Sequence, residues 1–153
     1  MNGFCIQQTT FPVVYCIIDD CSTDKTPVLI YNYLQRNFDL EDKTVVRQEE
    51  TADFCLTFAK HKSNNNCYFA VLLLKYNHFQ IKKSKLLYFE EWSRSSAYHA
   101  VCEGDDFWID PLKLSKQVAF MQSHPNCSLC ITAYNEINQF GERVVIEDRK
   151  SVV

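Results

Sequence analysis

Apolar and polar positions along the chain follow two different periods. Val13-Val14-Tyr15-Cys16-Ile17-Ile18 is a short, β-branched run that stops at Asp19-Asp20, which predicts a buried strand. Beyond Cys21-Ser22-Thr23-Asp24 the spacing turns helical, with Val28, Ile30, Tyr31, Leu34 and Phe38 facing the sheet. Ser22 or Thr23 offers a capping hydroxyl there, and Pro27 suits a first turn. Residues 39–50 are charged and predict a surface connection with a short strand at Thr44-Val45-Val46. Glu49, Glu50 and Asp53 read as a solvated face. Residues 51–60 carry a weak helical pattern through Phe54, Cys55 and Phe58, and Ser63-Asn64-Asn65-Asn66 is a turn by composition.

Cys67 to Leu74 is the most apolar strand, and Tyr76-Asn77-His78-Phe79 follows it with Lys75, Lys82, Lys83 and Lys85 clustered nearby. Residues 84–93 predict a helix with Leu86, Leu87, Phe89 and Trp92 inward and Glu90 and Glu91 outward. Tyr98 to Cys102 predicts a strand that contains His99. Asp110 and Pro111 then open a helix to about Ser123, its apolar face marked by Leu114, Val118 and Met121. Ser128 to Ala133 predicts one more strand, with Gly141 turning the chain towards Val144-Val145-Ile146. No internal repeat or low-complexity tract interrupts this order.

Two predicted strands end in acids and lead into helices, which points to a parallel sheet whose ligands gather at the carboxyl ends of its strands. The second acid group is the denser one. Cys102-Glu103-Gly104-Asp105-Asp106-Phe107-Trp108 holds three acids within four residues. Carboxylates that close repel one another on a helix face but can share a hard divalent cation such as Mg²⁺ or Mn²⁺ with a phosphate. Gly104 would let a backbone approach. The plainer alternative is an acidic turn that caps the next helix. Together the two groups suggest a site for a cation and a polyhydroxylated or nucleotide ligand.

Composition narrows the field. The 153 residues suffice for one domain with a core, and the apolar share, nearly half, excludes a disordered chain. A net charge of −3 with mixed signs argues against a dedicated nucleic-acid surface. No apolar run approaches the roughly 18–20 residues of a membrane span, and the start lacks a basic, apolar export signal. The eight cysteines mostly border apolar runs, as small buried hydrophobes do. Cys127-Ser128-Leu129-Cys130, with His124 before it, is a lone CxxC without the second ligand pair of a zinc site. A reduced, cytoplasmic protein is the expectation.

Two segments carry a resemblance. Ile17-Ile18-Asp19-Asp20-Cys21-Ser22-Thr23-Asp24-Lys25-Thr26 resembles the "IIVDDGSTDGT" stretch of family 2 glycosyltransferases. Val101 to Trp108 resembles that family's variant of the DXD motif, and Asp110-Pro111-Leu112-Lys113-Leu114-Ser115-Lys116-Gln117 is similar to its "DPxKLxKQ" helix start. The resemblance covers residues 3–135. It implies a three-layer α/β/α fold of the GT-A type with a mostly parallel central sheet. The chain as a whole (1–153) would be a single partial domain lacking the family's first strand and its acceptor region.

The activity implied is metal-assisted transfer of a sugar, with inversion, from a nucleotide-diphosphate donor to a hydroxyl acceptor. A UDP-sugar is the foremost donor, a saccharide or lipid-linked saccharide the acceptor, and cell-surface polysaccharide the product. Such an enzyme works in the cytoplasm, including at the inner face of the membrane. By the same resemblance Asp106 and Asp105 hold Mg²⁺ or Mn²⁺, Asp105 also reaches the ribose, and Asp20 with Asp19 and Ser22 contacts the nucleotide. Glu103 stands at the first acid position of the triplet, its role open. Asn77 and His78 resemble an "ENHY" variant, so that His78 would meet a phosphate or acceptor hydroxyl, or else close the strand end structurally. Lys82 and Lys83 would offset diphosphate charge or simply be surface. The base of an inverting enzyme lies much further along, and Glu147-Asp148 is too early for it, so no catalytic base is assigned. Three rival readings are a non-catalytic remnant, a sugar nucleotidyltransferase and a two-component receiver domain, whose phosphoacceptor window here (residues 58–65) contains no aspartate.

Overall fold

The computed structural model describes residues 1–42 and 45–144, so Thr44 and the stretch holding Val145, Ile146, Glu147 and Asp148 lie outside the described residues. The chain divides into two units, Met1–Val118 and Ala119–Val153. In the first, a one-turn helix α1 (Asn2–Cys5) precedes β1 (Val13–Asp19) and α2 (Thr26–Asn37). Four further strands follow: β2 (Phe38–Asp39), β3 (Arg47–Glu50), β4 (Phe54–His61) and β5 (Cys67–Leu74). A 3-10 turn (Leu86–Phe89), α3 (Glu90–Ser95) and α4 (Lys113–Ser123) complete it, α4 running across the boundary between the units.

The sheet order is β1-β5-β4-β2, with β3 also paired to β4. β1 and β5 run parallel, in register from Val13 opposite Cys67 to Asp19 opposite Leu73. The ladders of β4 with β5, β2 and β3 are antiparallel. The protein is therefore a mixed α/β structure, and the expectation of a mostly parallel sheet is corrected. The reason lies in the connection between β4 and β5. Ser63-Asn64-Asn65-Asn66 is a tight turn, whereas a parallel crossover needs a dozen or more residues. The asparagines build that turn: Asn64 Oδ1 accepts the Asn66 N–H at 3.1 Å and the Asn64 carbonyl accepts the Cys67 N–H at 3.1 Å. A sheet with antiparallel ladders at its centre also departs from the parallel order of receiver-type folds.

Most of the stretch 51–60, read above as weakly helical, lies in strand β4 instead. Phe54, Leu56 and Phe58 recur every second residue and pack on one face, while Ala59 enters the core on the other. β5 is buried from both sides, as its continuous apolar run predicts. Phe69 and Val71 meet Tyr15, Ile30, Leu34, Phe38 and Leu114, whereas Ala70, Leu72 and Leu74 meet Leu56 and Phe89. Helical residues thus cover both faces.

Several local expectations shift. α2 forms where its spacing predicts, with Pro27 in the first turn, but Ile30 and Leu34 are the buried positions and Val28 and Tyr31 are exposed. Its first turn is held by Asp24 Oδ1, which accepts the Thr26 N–H at 2.8 Å, rather than by Ser22 or Thr23. The helix predicted over 84–93 is displaced towards α3; Phe89 and Trp92 face inward but Leu86 and Leu87 do not. Tyr98 to Cys102 and Ser128 to Ala133 form no ladder among the described residues, and strand propensity without a partner does not make a strand. Asp110 does serve as the expected cap ahead of α4, its Oδ1 accepting the Leu112 N–H at 2.8 Å.

The start of the chain is tied to the start of α4. The buried Gln7 amide donates to the carbonyls of Gly3 (3.0 Å) and Asp110 (2.9 Å), and its Oε1 accepts the Leu114 N–H at 3.2 Å. Phe4 stacks on Tyr15 at 4.9 Å and meets the Trp108 ring edge-on at 5.0 Å. Gly3 is where the two segments touch: a Cβ there would stand 2.5 Å from the Trp108 carbonyl oxygen. In the second unit, β6 (Glu136–Ile137) and β7 (Arg143–Val144) form a short hairpin. Gly141 turns it at φ 79°, in the left-handed region that favours glycine. Among the described residues no helix is long and apolar enough to cross a membrane.

Phe69 is fully buried and contacts the rings of Phe4, Tyr15, Tyr33 and Phe38. Truncating it removes both burial and ring contacts, so Phe69→Ala should cost about 3–5 kcal/mol in urea unfolding. A loss under about 1 kcal/mol would contradict this core.

Candidate functional site

Because β1 and β5 are parallel and end together, the chain leaving β5 passes directly over the acids that end β1. Asp19 is buried and its Oδ2 accepts the Ser22 N–H at 3.0 Å, across a turn in which Cys21 takes φ 61°. Asp20 faces the loop after β5. Its Oδ1 accepts the His78 N–H at 2.7 Å, and its Oδ2 accepts the Phe79 N–H at 3.1 Å and the Lys85 ammonium at 2.9 Å. Partial burial would raise the Asp20 pKa, but Lys85 and the two backbone donors outweigh it and hold the carboxyl below the ordinary aspartate range.

His78 is fully buried. Its Nδ1 lies 2.9 Å from the Tyr76 carbonyl, which can only accept, so that nitrogen carries a proton. In the neutral ring Nε2 then accepts from the Tyr88 hydroxyl at 2.8 Å, and the ring stacks on Tyr76 at 4.8 Å. Both nitrogens are hydrogen-bonded inside the protein. Asn77 is also engaged locally, its Oδ1 accepting the Gln80 N–H at 2.8 Å. The neighbouring lysines are paired: Lys83 with Asp53 at 2.8 Å and Lys75 with Glu50 at 2.8 Å. Tyr76 donates its hydroxyl to Asp53 as well, and Lys83 and Tyr76 hold the Asp53 carboxyl low. Asp53 and Glu50, read above as merely solvated, therefore fix the rim of this loop.

The second acid group sits on an irregular segment. Glu103, Gly104, Asp105 and Asp106 are exposed, and the Asp106 N–H donates to the Glu103 carbonyl at 3.1 Å. Nothing crowds Gly104, so the space beside its backbone is open. Trp108 anchors the segment against Phe4 and Tyr15, with the Lys113 ammonium 5.0 Å from its ring centre. Asp20 is thus spent on the 78–85 loop while Asp105 and Asp106 present their carboxylates to solvent. Among the described residues no three His, Cys, Asp or Glu side chains gather closely enough to hold a metal ion. The acid pair Glu147-Asp148 lies outside the described residues.

All eight cysteines are free thiols, and in the second unit the Cys127 thiol donates to the Leu129 carbonyl at 3.1 Å. The His124 Nδ1 lies 2.9 Å from both the Ser123 hydroxyl and the Phe120 carbonyl. Sequence reasoning missed Lys85 and Tyr88 as partners of the strand-end acids and histidine. A lysine and a tyrosine three residues apart carry no signal until the loop that holds them folds back.

No family model matches the chain. Its curated relatives include an uncharacterized protein of Mycobacterium bovis and uncharacterized proteins of two Mycobacterium tuberculosis strains, each 32% identical over 143 residues. That alignment takes in 94% of this chain but 32% of each relative, so the chain spans about a third of their length. No solved structure matches.

The Asp20 geometry predicts a pH dependence. A carboxyl whose folded pKa is lowered adds stability that is complete above its unfolded value, near pH 4, and is lost as pH falls through the folded value. Asp20→Asn should therefore be less stable than wild type at pH 7 by about 1.5–3 kcal/mol, the range for hydrogen bonds to a charged group. The gap should close as pH drops below about 4. Urea unfolding of both proteins across this range checks it; a gap independent of pH would refute the clamp.

Proposed function

We propose that the chain is the donor-binding part of an inverting family 2 glycosyltransferase of the GT-A type, hexosyltransferase-like, acting in cell-surface polysaccharide synthesis on the cytoplasmic side of the membrane. The observation that carries this reading is the position of Asp19-Asp20. They end a strand paired in parallel with its neighbour and followed by a helix packed on the sheet, the place where open α/β sheets take ligands. The sequence resemblance supplies the ligand class: a nucleotide sugar, with a UDP-sugar foremost, and a saccharide or lipid-linked saccharide acceptor.

The acidic segment fits the metal this reading requires. Asp105 and Asp106 are adjacent, exposed oxygen donors, and Mg²⁺ or Mn²⁺ commonly takes one or two carboxylates and completes its shell with substrate phosphates and water. When bound, the cation offsets the charge that develops on the leaving nucleoside diphosphate. Glu103, one turn earlier, adds negative potential to the same loop. Asp19 and Ser22 shape the turn that would receive the nucleotide, and Asp20 holds the 78–79 backbone against it. The role of His78 is to stiffen this wall rather than to touch phosphate.

A second reading, a domain of this ancestry that transfers no sugar, is favoured by Asp20, whose two oxygens are already satisfied inside the protein. Release of UDP from a UDP-sugar with Mn²⁺ and a saccharide acceptor, measured on the full coding frame that contains this chain, separates the two, since only the first reading is part of an enzyme that turns over.

Calorimetric titration of the chain with UDP should give Mn²⁺-dependent binding. Asp105→Ala combined with Asp106→Ala should weaken it at least about tenfold, equal to about 1.4 kcal/mol. Unchanged binding by the double variant would remove these residues from the site.

A further inference from the structure

Cys5 and Cys67 are distant in sequence and neighbours in space. Cys5 closes α1, Cys67 opens β5, and the Cys67 thiol points at the Cys5 sulfur across 3.9 Å. The Tyr33 hydroxyl, from α2, shares its proton between the Cys5 sulfur at 3.3 Å and Asn2 Oδ1 at 2.8 Å. The two thiols differ in access. Cys67 is buried, whereas Cys5 lines an open pocket of about 460 Å³ whose other walls include Thr9, Ser63 and Asn64. Cys5 is thus the partly exposed member of the pair and Cys67 the enclosed one.

We propose that Cys5 and Cys67 form an oxidisable dithiol, a modification site at which a peroxide converts the pair into an intrachain disulfide that stitches α1 to the start of β5. In the first step the Cys5 thiolate attacks one peroxide oxygen. The O–O bond breaks, one oxygen stays on sulfur as a sulfenic acid, and the other leaves as water after taking a proton. In the second step the Cys67 sulfur attacks the Cys5 sulfur. An S–S bond forms, the S–O bond breaks, and the hydroxyl leaves as water with the Cys67 proton. Two thiols lose two electrons and one peroxide is reduced to two waters.

The local chemistry favours this order. The hydrogen bond from Cys67, helped by Tyr33 and opposed by burial, lowers the Cys5 thiol to about 7, while the same contact pushes Cys67 up. Cys5 is therefore the nucleophile and Cys67 the resolving thiol, which is relieved of its burden once Cys5 is no longer an anion. Cys16, exposed on β1 and away from this pair, shifts in the direction opposite to Cys5. Closing the bond requires the sulfurs to move from 3.9 Å apart to about 2.05 Å.

The test exposes the folded chain to hydrogen peroxide at pH 7, blocks remaining thiols with N-ethylmaleimide, and maps cross-linked peptides without reductant. The Cys5–Cys67 pair should appear first and vanish with dithiothreitol. Cys67→Ser should leave Cys5 as a sulfenic acid that dimedone labels. In the unmutated chain, Cys5 should react with iodoacetamide on the order of tenfold faster than an ordinary thiol, which needs no variant to fold. A Cys127–Cys130 bond formed in place of Cys5–Cys67, or alkylation of Cys5 no faster than of Cys16, would overturn the proposal.

Discussion

One carboxylate joins the two strands on which everything else is arranged. Asp20 receives two consecutive backbone N–H groups and an ammonium from the segment after β5, so the ends of β1 and β5 cannot separate without stranding a charge. Leaving a half-buried anion without partners costs more than any single exposed ion pair contributes. The arrangement also spreads outward. The backbone at residue 78 is pinned by Asp20, the ring of His78 is pinned by Tyr76 and Tyr88, and Tyr88 packs on Phe54 against the opposite face of the sheet. A polar contact at the edge is thereby coupled to an apolar contact beneath it.

The acidic segment is held by different means. It is fixed chiefly by an aromatic ring and an amide. Trp108 lies among Phe4, Tyr15 and Lys113, and Gln7 joins the backbone of α1 to that of Asp110 and Leu114. The carboxylates of Asp105 and Asp106 stand on a loop whose footing is rigid while their own oxygens meet water.

How much of this was legible in the sequence depended on how local the deciding contacts are. β1, β5 and α2 follow from runs and spacings within a few residues, and the cap at Asp110 reads from its own dipeptide. β4 misled because Cys55 and Phe58 imitate helical spacing, while the stronger alternation of Phe54, Leu56 and Phe58 matters only once β5 lies alongside. Tyr98 to Cys102 and Ser128 to Ala133 have strand composition but no partner among the described residues. The parallel expectation failed for the same reason: strand direction depends on the turn at Ser63 to Asn66, whose asparagines bond locally and also to the carbonyls of Cys5, Gln7 and Thr9. The acids were visible as acids. That one group is satisfied internally and the other open to solvent was not, because Lys85 and the backbone of His78 and Phe79 come from far along the chain.

The missing side chain at Gly3 makes that position a steric lever on the acid loop. Any methyl there collides with the carbonyl of Trp108, and relief requires a shift of α1 or of the residue that anchors Asp105 and Asp106. A neutral position a hundred residues upstream thus bears on the setting of two carboxylates, and a change there could move them without altering a single charge.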